Sequence, residues 1–338
     1  MTNLEEKPAL LDCDAVSNGG VVEVLEAREV PLGGPRAMSV RRTLPQRRRS
    51  LIGAWCFLDS YGPDEVATAG GMRVPGHPHT GLQTVTWLFE GEVEHRDTAG
   101  TVRVVRPGEV NLMTAGSGIA HSEYSTPATT RIHGAQLWLA LPESARHGAR
   151  AFESFAAPQF GVGPALLRVF LGELEGARSP VTTWTPVVGA EILLPAGETV
   201  TLTVSPAFEH GLLVDGGEAA LDGTIGVPGS LLYRSAGSDR LQVRAGDSDV
   251  RLILLGGEPF GESIVMWWNF VGRSHDDIVR YREEWQAQLG RLADGRRDGS
   301  DPFGEFPETW ETVLPAPELP TVRLRPREAA VDSRRAGT

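Results

Sequence analysis

The chain has 338 residues, of which 41% are hydrophobic and 22% charged, the proportions of an ordinary globular protein long enough for two packed domains with tails. A formal net charge of -12 disfavours a nucleic-acid binder, whose surface must neutralise phosphates. No apolar run approaches the roughly 18 residues of a membrane span, and the opening MTNLEEKPALLDCD lacks the basic and apolar regions of a signal peptide. Two cysteines, Cys13 and Cys56, are too few for a disulfide framework. A cytoplasmic protein with no membrane partner and no direct nucleic-acid partner is expected.

Taken in chain order, residues 1–20 are acidic, lack periodicity and read as a flexible N-terminal arm. From Val21 onward, short runs rich in β-branched and aromatic residues (VVEVLEAREV, AMSVRRTL, AWCFLDSYG) are separated by turn clusters such as PLGGP, as strands are. LQTVTWLFEGEVEHRD, TVRVVRPGEVNLM and IHGAQLWLAL continue the pattern to about residue 145. A weaker echo follows in EILLPAGETVTLTV, HGLLVDGGEAALDG, GSLLYRS, DRLQVRAG and VRLILLGGEP. In each half an apolar strand enters a Gly-containing turn and a later one leads to a Pro-Gly pair. This predicts an all-β chain in which one barrel unit is duplicated, over 21–145 and 146–272.

Ser274-His275-Asp276-Asp277 resembles a capping box, and Ile278, Tyr281, Trp285 and Leu289 recur at helical spacing. A helix bracing a barrel is expected over 273–290. Residues 291–338, rich in Arg, Asp, Gly and Pro, read as an extended, partly disordered tail.

The chemistry concentrates in two pairs. His77-Pro78-His79 places two imidazoles on one face of a strand, about 6.6 Å apart along it. His121-Ser122-Glu123 repeats the spacing, and on a neighbouring antiparallel strand it would turn an imidazole and a carboxylate toward the same interior. Three imidazoles and a carboxylate suit one divalent ion, Fe, Ni, Cu, Mn or Zn, with positions left open on an octahedral centre. Burying them without a cation would demand full hydrogen-bond satisfaction. The lone histidines His95, His133, His147 and His210 are expected to be satisfied polar residues, and His275 to be solvated. Arg41, Arg42, Arg47, Arg48 and Arg49 read first as a solvated face or salt-bridged edge. No phosphate-binding loop occurs, and Gly116-Ser117-Gly118 lacks the register of a nucleophile elbow.

The segment from His77 to Glu123, HPHTGLQTVTWLFEGEVEHRDTAGTVRVVRPGEVNLMTAGSGIAHSE, closely resembles the pirin signature of the cupin superfamily, with RRRSLIGAWCFLDSYGP and GAQLWLALP resembling its flanks. The second half agrees mainly in strand pattern and in GGEPFGESIVMWWNFVG. The resemblance implies a bicupin with a single iron-type metal in the N-terminal cupin, held by positions matching His77, His79, His121 and Glu123. In the second half His210 stands alone, with Leu212 at the i+2 position, so the C-terminal cupin is expected to be structural. Cupins often place a further carboxylate four residues after the second histidine, where this chain has Gln83, and Thr80 stands where the pirin pattern commonly has Arg.

Two functions follow from the resemblance. One is a dioxygenase similar to quercetin 2,3-dioxygenases, taking a small aromatic or flavonoid substrate and O2, with Glu123 as general base and with Trp87 and Met113 either as apolar walls or as ordinary core residues. The other is a redox-responsive regulatory protein whose metal shapes a surface for a protein partner, with the arginine cluster as its candidate patch. A monomer is expected, since duplication already supplies two barrels.

Overall fold

The computed structural model describes residues 21–32, 38–296, 301–306, 310 and 312–326. The expected N-terminal arm, Cys13 and part of the PLGGP turn lie outside them. The strand pattern of the sequence is borne out, and the duplication is visible in the sheets. Each half pairs a seven-stranded sheet with a four-stranded one, all neighbours antiparallel. In the first half, Leu82–Glu90, Arg131–Ala140 and Trp55–Glu65 lie at the middle of the large sheet, and Arg73–His79, Ile119–Ser125, Val93–Asp97 and Val102–Val105 form the small one. In the second half, Glu209–Gly216, Val250–Gly257 and Val187–Leu194 take the same central places.

The two halves do not divide cleanly at residue 145. The strand Glu23–Leu25 joins the edge of the second large sheet, pairing Glu23 with Tyr233, whereas Ala151–Ala156 pairs with Glu109–Thr114 at the equivalent edge of the first. Each barrel is thus completed by a strand from beyond its own segment.

Period-two alternation sorts the large sheets into two faces. Leu212, Val214, Leu252 and Leu254 fill the second barrel, while the alternate residues Leu213, Ile253 and Leu255 face the first domain. There they meet Trp55, Val85, Trp87 and Leu137, so the large sheets pack back to back over one apolar layer. Trp87 stacks on Phe170 at 4.7 Å, and Trp55 Nε1 donates to the Gly256 carbonyl at 3.1 Å across the layer. Gly53, at φ 52°, is required here, because a Cβ would sit 2.7 Å from Gly257 Cα.

The helix spans His275–Ala293, with Ser274 accepting from the Asp277 backbone amide as the sequence implies. Its buried face holds Ile278, Tyr281, Trp285 and Gln288. Leu289 is only partly buried, because the helix packs on the chain's own end as much as on a barrel. Gln288 donates to the Gly304 carbonyl and accepts from the Phe303 amide, and Trp285 Nε1 donates to Leu314. A polar residue on this face therefore satisfies the backbone of an irregular segment.

The described part of the tail is extended, as expected, but it packs closely: Phe303, Phe306, Ala316 and Leu324 are buried. It forms a strap across the first barrel, where Gly76 donates to Thr312 and accepts from Leu314. His275, half-buried, is also held by this strap, its Nδ1 accepting from the Leu324 amide. The short helix Val66–Ala69 and the hairpin of Val265–Trp267 with Phe270–Gly272 had no signal in the pattern.

Candidate metal centre

The strands Arg73–His79 and Ile119–Ser125 are antiparallel, with His121 directly opposite His77. Between His121 and Glu123 the register slips, a bulge that re-aims side chains beside the site. On its other edge Ile119–Ser125 pairs with Val93–Asp97, setting His121 opposite Asp97 and Glu123 opposite His95. All of these side chains are buried.

His79 Nε2 lies 3.1 Å from His77 Nε2 and 3.1 Å from His121 Nε2. The network assigns most of the ring protons. His77 Nδ1 donates to the Pro75 carbonyl at 2.8 Å, which leaves its Nε2 a bare lone pair. Asp97 Oδ2 accepts from His95 Nε2 at 3.0 Å, so His95 Nδ1 is an acceptor for His121 Nδ1–H, 3.4 Å away, and His121 Nε2 is again a lone pair. His79 Nδ1 faces the Asn269 backbone without a close hydrogen bond. A single proton on His79 Nε2 could satisfy one of its two contacts, never both. Two nitrogens about 2.1 Å from one ion at a right angle stand about 3 Å apart. The donors therefore fit a cation better than they fit one another.

Electrostatics agree. Burial pushes the His77 ring down to about 4, and burial followed by the neighbouring imidazoles holds His79 and His121 well below the usual histidine range. Uncharged rings are the form that ligates a metal. Burial alone would raise Asp97, but hydrogen bonds from His95 and Thr101 hold it below the usual carboxylate range.

Glu123 stands slightly apart. His77, His79 and His121 form one group able to hold an ion, and His95, His121 and Glu123 form a second, with His121 in common. Glu123 Oε1 accepts from Thr86 Oγ1 at 3.3 Å, and Thr86 is also 2.9 Å from Gln136 Oε1. The structure thus gathers all four residues singled out in the sequence and adds two, His95 and Asp97, that were missed. Their signal was present: His95-Arg96-Asp97 is a third pair at the i, i+2 spacing.

Gln83 donates to Thr114 and to the Thr182 carbonyl, on the strand face opposite Thr84 and Thr86, away from the histidine cluster. Several expectations are corrected. Trp87 belongs to the layer between the domains, and the aromatic wall is instead Trp138, edge-on to His79 at 5.2 Å and stacked on Phe57 at 4.0 Å. Met113 is buried with Ile119 and packs on Phe152, whose ring lies 4.7 Å from that of His95. Thr80 is fully buried, its carbonyl accepting from Val271. The arginines form no single patch. Arg42 makes a two-pronged buried bond to Asp59, Arg49 lies 3.5 Å over the Tyr233 ring, and only Arg47 and Arg48 are exposed. His133 is hydrogen-bonded to Asp215, as expected, whereas neither ring nitrogen of His210 has a partner. Among the described residues no helix is long and apolar enough to cross a membrane.

Comparison with known proteins bears on the same residues. The family model described as pirin matches residues 37–139, the stretch carrying all four predicted ligands, and the pirin C-terminal cupin domain matches residues 189–290. A Pseudomonas aeruginosa protein provisionally named a quercetin 2,3-dioxygenase is 42% identical over 86% of this chain and 94% of its own length. A Caulobacter vibrioides pirin-like protein is 34% identical over 80% of this chain and 95% of its own. Among solved structures, a quercetin 2,3-dioxygenase from Acinetobacter baumannii superposes with a TM-score of 0.81 at 34% identity, covering 90% of this chain and 97% of that one. With the duplicated barrels, the buried histidine cluster and both family models in agreement, the chain belongs to the pirin family of bicupins.

Proposed function

We propose that this chain is a metal-dependent dioxygenase that cleaves a flavonol such as quercetin with O2 at a single ion held by His77, His79, His121 and Glu123. The observation that supports it most is the convergence of three buried, uncharged imidazoles on one point beside a carboxylate. Two relatives named for quercetin 2,3-dioxygenase activity point to the same substrate class. A divalent ion, iron first among Fe, Ni, Cu, Mn and Zn, would supply the electron transfer and Lewis acidity that dioxygen chemistry requires.

The protein's own groups do the rest. Glu123 is the base for the substrate hydroxyl, its oxygen oriented by the Thr86 hydroxyl. His95 and Asp97 hold His121 in the tautomer that presents Nε2. Trp138 and Phe57 line one side with apolar surface that excludes water.

Anaerobic iron loading, addition of quercetin and then a pulse of oxygen provides the test. Oxygen uptake with carbon monoxide release is expected, and both should vanish in His79→Ala. Metal-loaded protein that consumes no oxygen and releases no carbon monoxide with flavonols would overturn the proposal.

A further inference from the structure

The second barrel is not filled to its end. A cavity of about 450 Å³, within the size range of small-molecule sites, opens at its mouth. Its apolar lining comes from Leu174, Val188, Val204 and Phe208, and His210 also faces into it. His210 shares a strand face with Leu212 and Val214, so its ring turns into the barrel, with the Phe208 ring 6.2 Å away. It is 1% exposed, and neither Nδ1 nor Nε2 has a hydrogen-bond partner. Buried polar groups ordinarily find hydrogen-bond partners, so a buried imidazole bare on both sides calls for a ligand. Burial, followed by the charge of Arg234, pushes the ring down to about 4, leaving it neutral with one donor and one acceptor.

The mouth selects by charge. Glu173, Glu175 and Arg178 stand there, an excess of one negative charge, which disfavours a carboxylate ligand. The floor asks for a group that can both donate and accept, and Phe208 offers an aromatic wall. The geometry points to a second, metal-independent site in the C-terminal barrel that binds a small neutral phenol, its hydroxyl hydrogen-bonded to His210 and its ring against Phe208. This site is separate from the histidine cluster and does not depend on the oxygenase reading.

The test is calorimetric titration of the full chain with 4-methylphenol, alongside 4-methylbenzoate. Binding is expected in the parent protein and unchanged in His121→Ala, which alters only the metal centre. In His210→Leu the affinity should fall at least tenfold while the melting temperature rises, because an unsatisfied polar ring becomes a well-packed apolar side chain. Val204→Phe, which fills the cavity from its wall, should abolish binding with His210 intact. The proposal is overturned if 4-methylphenol does not bind, if it binds His210→Leu and Val204→Phe as it binds the parent, if His121→Ala loses it, or if 4-methylbenzoate binds more tightly.

Discussion

Replacing Asp97 by Asn probes the site through hydrogen bonds alone, with no change in size. Asp97 Oδ1 accepts from the amides of Ala99 and Thr101 at 2.9 and 3.0 Å, so the Asn oxygen will be pinned there and its NH2 turned toward His95. His95 Nε2 now donates to Oδ2 at 3.0 Å; against an NH2 it must become an acceptor, and its proton moves to Nδ1. That proton faces His121 Nδ1–H across 3.4 Å, donor against donor. His121 escapes by shifting its own proton to Nε2, the atom proposed to face the ion. Losing the partner that orients a metal ligand costs about 10–100-fold in affinity, or about 1.4–2.8 kcal/mol. Asp97→Asn should fall at the upper end and His95→Ala, which removes the acceptor without reversing it, at the lower. Competition with a chromophoric chelator measures the affinity, and nitrogen-15 spectra of the metal-free imidazoles report which nitrogen carries the proton. A folded Asp97→Asn protein with parental affinity and unchanged His121 spectra would refute the relay.

Three other outcomes are expected. Burial raises Glu209 to about 7, so the folded state holds a proton that the unfolded state has lost above about 4.5. Its contribution to stability thus falls as pH rises from 4.5 to 7, and Glu209→Gln should stabilise the protein by about 3 kcal/mol at pH 8 and little at pH 4, as read by urea unfolding. Phe303→Ala empties a fully buried site 5.1 Å from the Trp285 ring and should cost about 3–5 kcal/mol in the same assay, showing that the tail is part of the fold. Arg42→Ala strands the buried Asp59 carboxylate and should cost about 3–5 kcal/mol, whereas the apolar pair Arg42→Met with Asp59→Leu should recover most of it in thermal melts.

The barrels and the two pairs of the candidate site were legible because each rests on a period of two, which a strand converts directly into a shared face. The helix was legible through Ser274 and its apolar spacing. What escaped depended on contacts distant in sequence. Trp87 and Trp138 are both aromatic residues of central strands, and only the sheet's orientation sends one to the domain interface and the other to His79. Gln83 was judged by its distance from His79 along the chain, but alternation turns it to the opposite face. The tail looked disordered because its composition is polar, while its few apolar residues, Phe303, Phe306 and Leu324, find complementary surface on a helix and strand made long before. His95 was overlooked because a lone histidine is usually structural, although Asp97 two residues on marked it as paired.

The exchange of edge strands carries a consequence for how the molecule assembles. Glu23–Leu25 lies near the start of the chain, yet its partner Leu231–Arg234 comes about 200 residues later, after the whole first barrel. During synthesis this strand must wait, its hydrogen-bonding edge open, while the strands around it close. So early an element with so late a partner lengthens the loops that must be ordered before the native state pays back their entropy, which slows folding. Severing the chain between the barrels would leave each fragment holding a strand that belongs to the other.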